Sequence, residues 1–426
     1  KPRRRGHGIF MPLTNLSSEI RSEREKRNLA ILGAVRRYGP ITKPEISQAV
    51  GLNIVTVSNY IEEFLNHNLI FEKEFDISAG GRRPMLLDIN PDAGTVIGVG
   101  LNLMNIVGVQ TDLKGRIVAR SSLEHNSPSI KEIVRCVSEI IHSILKKSGA
   151  GKEKIKGIGI GIAGLVNKKD GSVHWPEKVE DTYDYVSVYV PLKDVLERDF
   201  GLPVLIENDA TAACFGEQWM GLKTEVKNLV YMFSGVGCGM IFNGEIYTGS
   251  SGLAGEVSIH NPKNKPEFNC SAGAPCFLKR WEIDFGIVEE AHSKILKLKN
   301  SGESDSAAKR LLELANGKIE DINLKMIFQA AREHDSFALE LLNRAAMQLG
   351  IRAAHLVNLL NPEMVLIGGG LEQAGDVFLN GVRSMVNEWA FQEVSKNVRI
   401  LYSDLGENAV ALGAASLVMR QIFAQI

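Results

Sequence analysis

Two carboxylates and an amide lie together at residues 206–211, where the sequence reads I-E-N-D-A-T. An apolar run precedes them and small residues follow, which is typical of a strand that runs into a helix. Asp209 at such a turn could take a proton from a bound substrate, or it could only hold one in a hydrogen bond. The alternative is that Asn208 or Asp209 merely caps the helix that follows, although one residue can both cap the helix and take part in a site.

Three further stretches place glycines where predicted strands end. Because glycine tolerates unusual backbone angles, such turns let N–H groups approach a bound ligand closely. Each stretch alone is a weak signal, since turns use glycine for steric reasons too, but the four stretches in this order are much more specific. They are G-I-A-G-L-V at 161–166, the block from 234 to 256 that ends in G-L-A-G-E, and V-L-I-G-G-G-L at 365–371.

The elements that must position these loops alternate between strands and helices. Apolar strand-like runs occur at 96–101, 106–110, 155–162, 202–206, 229–233, 238–242 and 364–367, and helical patterns occur at 130–147, 191–199 and 338–360. Strands interleaved with helices predict an α/β body whose sheets are covered by helices.

The segment before this body has the pattern of a helix-turn-helix. An amphipathic helix is predicted over residues 22–37. Thr42 and Glu45 then form a capping box at the start of a second helix, which Gly51 ends. Asn53 can cap the third helix, whose start leaves polar groups able to bond base edges and phosphates away from its apolar stripe. The residues expected to contact the major groove are Lys43, Thr56, Ser58 and Asn59.

A basic hairpin follows the helix pair. Residues 69–76 and 85–89 read as strands, and S-A-G-G-R-R-P lies between them. Arg82 and Arg83 at its tip could enter the minor groove or hold phosphate. A helix pair alone could be plain packing, whereas a helix pair followed by a basic hairpin favours a winged helix-turn-helix that binds DNA.

Composition and charge agree with this division. The 426 residues are 44% hydrophobic and 23% charged, which is typical of a globular protein with two or three domains. Residues 1–90 hold 14 Lys and Arg against 10 Asp and Glu, so a basic head precedes an acidic remainder. No apolar run is long enough to cross a bilayer, and five cysteines do not form a disulfide framework, so a reducing cytoplasm is expected.

The glycine block at 235–256, the E-N-D triplet, N-P-E-M-V-L-I-G-G-G-L at 361–371 and L-G-A-A-S at 412–416 resemble the ROK family of repressors, open reading frames and sugar kinases. The resemblance covers residues 22–426. It implies an actin-like ATPase fold, with two α/β lobes around a sugar site. The predicted division is a poorly ordered basic arm at 1–21, a winged helix-turn-helix at 22–90, and a sugar-sensor domain at 91–426 whose C-terminal helix returns to the first lobe.

The loop that handles phosphate in family kinases is altered here. Those kinases turn through Asp-x-Gly-Gly-Thr, whereas this chain has Gly100-Leu101-Asn102-Leu103-Met104. Phosphoryl transfer depends on placing metal and phosphate closely, so we expect no kinase activity. Asp209 matches the general base of the kinases and would here only accept a hydrogen bond from the sugar. The sugar contacts that the resemblance implies are Gly164, Asn208, Asp209, Glu256 and His260.

The family's structural zinc motif is incomplete. His260 and Cys270 keep the expected gap, Ala272 replaces the middle cysteine, and Cys276 comes one residue early. Three candidate ligands remain where a closed zinc site takes four. Zinc could therefore persist with a substitute ligand or be absent.

These patterns predict a sugar-responsive repressor of carbohydrate metabolism genes. Its expected partners are double-stranded operator DNA, a sugar or sugar-phosphate effector, and further copies of itself in a homodimer or homotetramer, with no membrane. Two alternatives stay open. One is a sugar kinase with an appended DNA-binding head, and the other is a constitutive DNA-binding regulator whose sugar site is vestigial.

Overall fold

The computed structural model describes residues 22–73, 85–102, 105–124, 129–149, 151–178, 185–233, 237–257, 284–300 and 308–426. Several predicted site residues lie outside these ranges. They are Arg82 and Arg83 of the predicted wing, Leu103 and Met104 of the altered loop, and the three predicted zinc ligands His260, Cys270 and Cys276.

The head consists of three helices and a two-stranded antiparallel sheet: α1 (Glu23–Tyr38), α2 (Lys43–Val50), α3 (Ile54–Asn66), β1 (Ile70–Lys73) and β2 (Leu86–Ile89). The predicted caps are present. Thr42 and Glu45 form a capping box at the start of α2, and Gly51 ends that helix with φ of +67°, an angle that favours glycine. The Asn53 side chain accepts from the Thr56 N–H, 2.8 Å away, at the start of α3.

A first five-stranded sheet has the order β10-β6-β3-β4-β5. Its strands are β3 (Thr95–Leu101), β4 (Asn105–Asp112), β5 (Ile117–Glu124), β6 (Ile155–Ile162) and β10 (Val204–Asn208). Helices α4 (Ile130–Ser148) and α5 (Leu192–Phe200) pack on one face. The C-terminal helix α13 (Ala409–Ala424) lies on the other.

Glycines explain how closely α13 approaches this sheet. In β3 and β6 every second residue is Gly over part of the strand, while the residues between them are buried Ile and Val on the opposite face. A methyl group at Gly98 would lie 2.0 Å from the Ala411 carbonyl oxygen, and one at Gly159 would lie 2.2 Å from that of Ala414. The alternating Gly therefore lets the helix backbone rest directly on the strands.

A second five-stranded sheet has the order β13-β12-β11-β14-β15. Its strands are β11 (Leu229–Phe233), β12 (Gly237–Phe242), β13 (Glu245–Ile246), β14 (Met364–Gly368) and β15 (Arg399–Tyr402). Helices on its outer face are α7 (Asp284–Asn300), α8 (Lys309–Leu314), α9 (Leu324–Arg332), α10 (Ser336–Leu360), α11 (Asp376–Trp389) and α12 (Gln392–Ser395). Helix α6 (Asp209–Gly216) packs on the inner face and against α13, so both helices lie between the sheets.

A small antiparallel sheet, which the sequence patterns do not predict, lies beside β10. It consists of β7 (Leu165–Asn167), β8 (Ser172–Lys178) and β9 (Tyr185–Val190). The other predicted strands and helices are present with boundaries shifted by a few residues. No helix in the described part of the chain is long and apolar enough to span a membrane.

Candidate functional site

The E-N-D turn joins strand β10 to helix α6. Asn208 is the N-cap, and its Oδ1 accepts from the Thr211 N–H at 3.2 Å, so the capping interpretation is correct. The other end of the same amide donates from Nδ2 to the Gly164 carbonyl at 3.5 Å. Gly164 has φ of +98°, and a methyl group there would lie 2.8 Å from the His174 carbonyl oxygen. The Asn208 side chain, which caps α6, thus also links the G-I-A-G stretch to the E-N-D stretch.

Asp209 is buried in the first turn of α6, with 6% of its surface exposed. Its Oδ1 accepts from the Ala210 N–H at 2.7 Å. Burial, together with the nearby charge of Glu256, raises the pKa of Asp209 to about 7. A carboxyl group in this range exchanges its proton readily near neutral pH, so it can donate to or accept from a ligand hydroxyl.

The glycine block brings Glu256 to the same place. Gly255 has φ of +115°, its carbonyl accepts from the Cys238 N–H at 2.7 Å, and Glu256 forms an isolated bridge with Gly237. The side chain of Glu256 reaches solvent, yet enough protein surrounds it to raise the pKa of its carboxyl group. Three of the four predicted stretches therefore converge on the start of α6.

Lys168 is a neighbour of this site that the sequence patterns missed. It lies between β7 and β8, and its Nζ pairs with Glu207 Oε2 at 2.9 Å. Glu207 is almost fully buried, and its Oε1 accepts from the Asn208 N–H at 2.9 Å. Of the two carboxylates in the E-N-D triplet, Glu207 therefore supports the turn and Asp209 faces the site. The signal in the sequence is a carboxylate directly after an apolar run, where burial would favour a charged partner.

The fourth stretch ends strand β14 in the second sheet, paired in register with β11. Gly369 and Gly370 have φ of +79° and +111°. A methyl group at Gly369 would lie 2.8 Å from the ring of Phe233, so the close packing of that ring requires glycine there.

The altered loop after β3 is held by the segment before α13. Asn102 is buried, and its Nδ2 donates to Asn105 Oδ1 at 3.0 Å and to the Glu407 carbonyl at 2.8 Å. Glu407 in turn pairs with Arg120 and accepts from Asn105 Nδ2 at 3.0 Å. A methyl group at Gly100 would lie 2.5 Å from the Ala411 N atom and 2.6 Å from Val410 Cβ. A side chain at position 100 would therefore meet the start of α13.

Helix α3 presents its first turns to solvent while Val57, Ile61 and Phe64 fill the core. Of the predicted DNA contacts, Asn59 is exposed, and Lys43, Thr56 and Ser58 are half-buried. Val55, which the sequence patterns do not single out, is 68% exposed on the same helix. A large apolar side chain without internal packing at the start of a recognition helix is the signal that could have found it.

The three predicted zinc ligands lie outside the described residues. Within those residues, no group of three or more His, Cys, Asp or Glu side chains is placed to hold a metal ion.

Known proteins resemble this chain in sequence and fold. A model described as the ROK family matches residues 96–421. A xylose repressor from Caldicellulosiruptor bescii is 32% identical over 394 residues, 92% of this chain and 94% of the repressor. The crystal structure of a ROK family transcriptional regulator, a homologue of the E. coli Mlc protein, gives a TM-score of 0.69 at 20% identity and covers 94% of this chain and 97% of its own.

A kinase structure resembles only the body. A ROK family glucokinase from Streptomyces griseus, in complex with glucose and AMPPNP, gives a TM-score of 0.61 at 27% identity. The glucokinase covers 76% of this chain and 99% of its own length. The xylose repressor and the transcriptional regulator cover 92% and 94% of this chain, so their matches extend into the head. These matches confirm the predicted fold class, in which a helix-turn-helix precedes a two-lobed α/β body.

Proposed function

The chain belongs to the ROK family, and from this membership we propose that it is a sugar-responsive, DNA-binding transcriptional repressor of carbohydrate metabolism genes. The observation that carries the proposal is that one chain contains both a DNA-binding type of head and a ROK body. A helix-turn-helix with its recognition helix open to solvent and a ROK body lie in one chain, and the xylose repressor matches both over nearly its full length.

The proposed sugar site is the start of α6 and the loops beside it. The site offers the amide group of Asn208 and the carboxyl groups of Asp209 and Glu256. The backbone carbonyl of Gly164 lies beside the Asn208 amide. Such groups bond the hydroxyls of a polyol from several sides. His260 completes the proposed set. A structural zinc on His260, Cys270 and Cys276 stays a prediction.

The body is proposed to bind sugar without phosphorylating it. A Cβ atom added at Gly100 would lie within 2.6 Å of Val410 and Ala411, which supports the expectation that this position takes no metal-organising carboxylate. The Asn102 side chain, which stands where family kinases have glycine, donates to Asn105 and to the Glu407 carbonyl. Both observations favour a sensor over an enzyme.

The head is proposed to bind operator DNA. Lys43, Thr56, Ser58 and Asn59 would contact the major groove, and Arg82 and Arg83 the groove or phosphates beside the wing. Two or four chains would pair through their bodies, so that two copies of α3 match a two-fold operator. Sugar entry would change the closure of the lobes and hence the affinity for DNA.

Selection of bound fragments from genomic DNA, with and without a panel of sugars, tests this function. We expect one set of fragments to be retained and then released by one sugar. Retained fragments that no sugar releases, with no sugar detected by calorimetry, would favour the constitutive regulator. Phosphorylation of a sugar by ATP that is abolished in Asp209→Asn would favour the kinase.

A further inference from the structure

The described residues of the DNA-binding head make polar contacts with the body at Asn28, Arg36 and Asp88. The Asn28 side chain, fully buried in α1, donates to the carbonyls of Ala424 and Ile426 at 3.0 and 2.6 Å. Lys114, in the turn after β4, pairs with Asp88 of β2 through Nζ and both carboxylate oxygens. Arg36 of α1 meets the segment that follows α6. These polar contacts surround an apolar core shared by α1 and α13.

The Arg36 contact is made in two ways. Its Nη2 donates to the Trp219 carbonyl at 2.6 Å, and its guanidinium lies 4.5 Å from the centroid of the Trp219 ring. A guanidinium stacked on indole is a favourable cation–π geometry, and a lysine cannot reproduce its planar stacking. The Trp219 ring in turn packs against Phe215 of α6 and Phe423 of α13.

Trp219 lies in a π-helical turn, Glu217–Gly221, that continues α6 directly. The Leu222 N–H donates to the Glu217 carbonyl five residues earlier, at 2.8 Å. The Glu217 side chain is fully buried, and its Oε1 accepts from Ser403 Oγ and from the Leu405 N–H. Turns of this kind are rare and occur often at functional sites.

One short helix therefore has the proposed sugar contacts at its first residue and the head contact just beyond its last. All eight residues from Asp209 to Gly216 are buried, and the backbone is packed on both sides. A methyl group at Gly239 would lie 2.2 Å from the Ala210 carbonyl oxygen, and one at Gly413 would lie 1.8 Å from that of Ala212. Packing this close transmits a displacement rather than absorbing it.

We propose that α6 and its π-helical turn carry the sugar signal to the DNA-binding head, and that Arg36 and Trp219 are the positioning residues through which it passes. This inference rests on the proposed function, since it names the route by which the same site regulates DNA affinity. The Asn28 and Lys114 contacts hold the head in place. The Arg36 contact sets the head's position according to the state of α6.

The test compares the sugar response of five proteins, the wild type and four variants of the whole chain, on one selected operator duplex. Arg36→Met and Trp219→Phe weaken the proposed route, and Arg36→Lys keeps a cation that can still donate to the Trp219 carbonyl. The matched control, Lys114→Met with Asp88→Asn, removes a head contact outside the route and leaves no charge unpaired. Operator affinity is measured with and without the sugar identified by the genomic selection, and sugar affinity with and without operator.

For the wild type, the sugar should change operator affinity by about ten-fold or more, and the operator should change sugar affinity by the same factor, since coupling is reciprocal. In Arg36→Met and Trp219→Phe both factors should approach one, while each affinity measured alone stays within about three-fold of wild type. Arg36→Lys should recover part of the coupling, and the control should keep it.

Undiminished coupling in Arg36→Met and Trp219→Phe would overturn the inference, as would an equal loss in the control. A wild-type protein that binds no DNA, or whose DNA binding no sugar changes, contradicts the proposed function instead. The two failures are therefore distinguishable.

Discussion

The Nζ atom of Lys168 lies 2.9 Å from Oε2 of Glu207, so an ion pair supports the turn from which Asn208 and Asp209 face the site. Glu207 is almost fully buried, and its second oxygen holds the Asn208 N–H. The orientation of the proposed sugar contacts thus depends on a cation 39 residues earlier in the chain.

Removing only the cation should destabilise the protein. Lys168→Met leaves the Glu207 carboxylate buried without a cation, and we expect the free energy of unfolding to fall by about 3 kcal/mol in urea titrations. The double variant Lys168→Met with Glu207→Gln removes both charges and should recover most of this loss. A double variant no more stable than Lys168→Met would show that the charge is not the cause.

The pH dependence of the free energy of unfolding should reveal the titration of the Asp209 carboxyl group. Its pKa is about 7 in the folded protein and ordinarily 3.8, so the folded state binds more protons between these values. The free energy of unfolding should therefore fall as pH rises from about 4 to 7, by up to about 4 kcal/mol at roughly 1.4 kcal/mol per pKa unit. Asp209→Asn should flatten this slope in urea titrations across the range.

The raised pKa of Glu256 adds to the same slope, since its folded state is also protonated more readily. Glu256→Gln should therefore reduce the slope without abolishing it. An Asp209→Asn variant with the wild-type slope would contradict the assignment to Asp209.

Restoring a carboxylate at position 100 should not create a kinase. Gly100→Asp places atoms against Val410 and Ala411, and we expect a loss of about 3 kcal/mol or more from overpacking, with no sugar phosphorylation. Gly33→Ala is the matched control, because its added methyl group meets no atom of the described residues within 4 Å apart from its own helical backbone and chain neighbours, and alanine favours a helix. That control should be as stable as wild type or slightly more so in thermal denaturation. A soluble, active Gly100→Asp kinase would contradict the proposed loss.

Val55 is expected to recognise thymine by contacting the C5-methyl group of the base. Its exposed side chain lies four residues before Asn59, on the same face of α3, and apolar side chains contact the C5-methyl of thymine in the major groove. Replacing each thymine of a selected operator by deoxyuridine should weaken wild-type binding about four-fold at one position, the effect of losing one buried methyl group.

The Val55→Ala variant should be less sensitive to deoxyuridine at that position, whereas Asn59→Ala should keep the wild-type sensitivity there. Fluorescence anisotropy of the labelled duplex gives both affinities. Equal sensitivity of Val55→Ala and wild type at every position would refute this role.

The local signals in the sequence predicted most of the elements. Thr42, Glu45, Gly51 and Asn53 define the ends of α2 and α3 because capping depends on residues a few positions apart. Apolar runs predicted the central strands for a similar reason. The sheet of β7, β8 and β9 was not predicted, because strand β8 mixes charged, polar and apolar residues and has no clear alternation.

The contacts that complete the site and join the head to it are not local. Lys168 meets Glu207, and Arg36 meets Trp219 across 183 residues, because the fold brings distant segments together. Neither partner has a distinctive neighbourhood in the sequence. The sequence shows Val55 as an apolar residue near the start of α3. That it is exposed follows only from the structure, in which no other part of the described chain covers it.

The stacking of Arg36 on Trp219 gives the protein an intrinsic optical reporter. Indole fluorescence is sensitive to an adjacent cation, and here that cation belongs to the head while the indole belongs to the body. Emission from Trp219 should therefore change when the two parts separate. Its contribution is obtained by subtracting the spectrum of Trp219→Phe, so head release can be followed in real time without any attached dye.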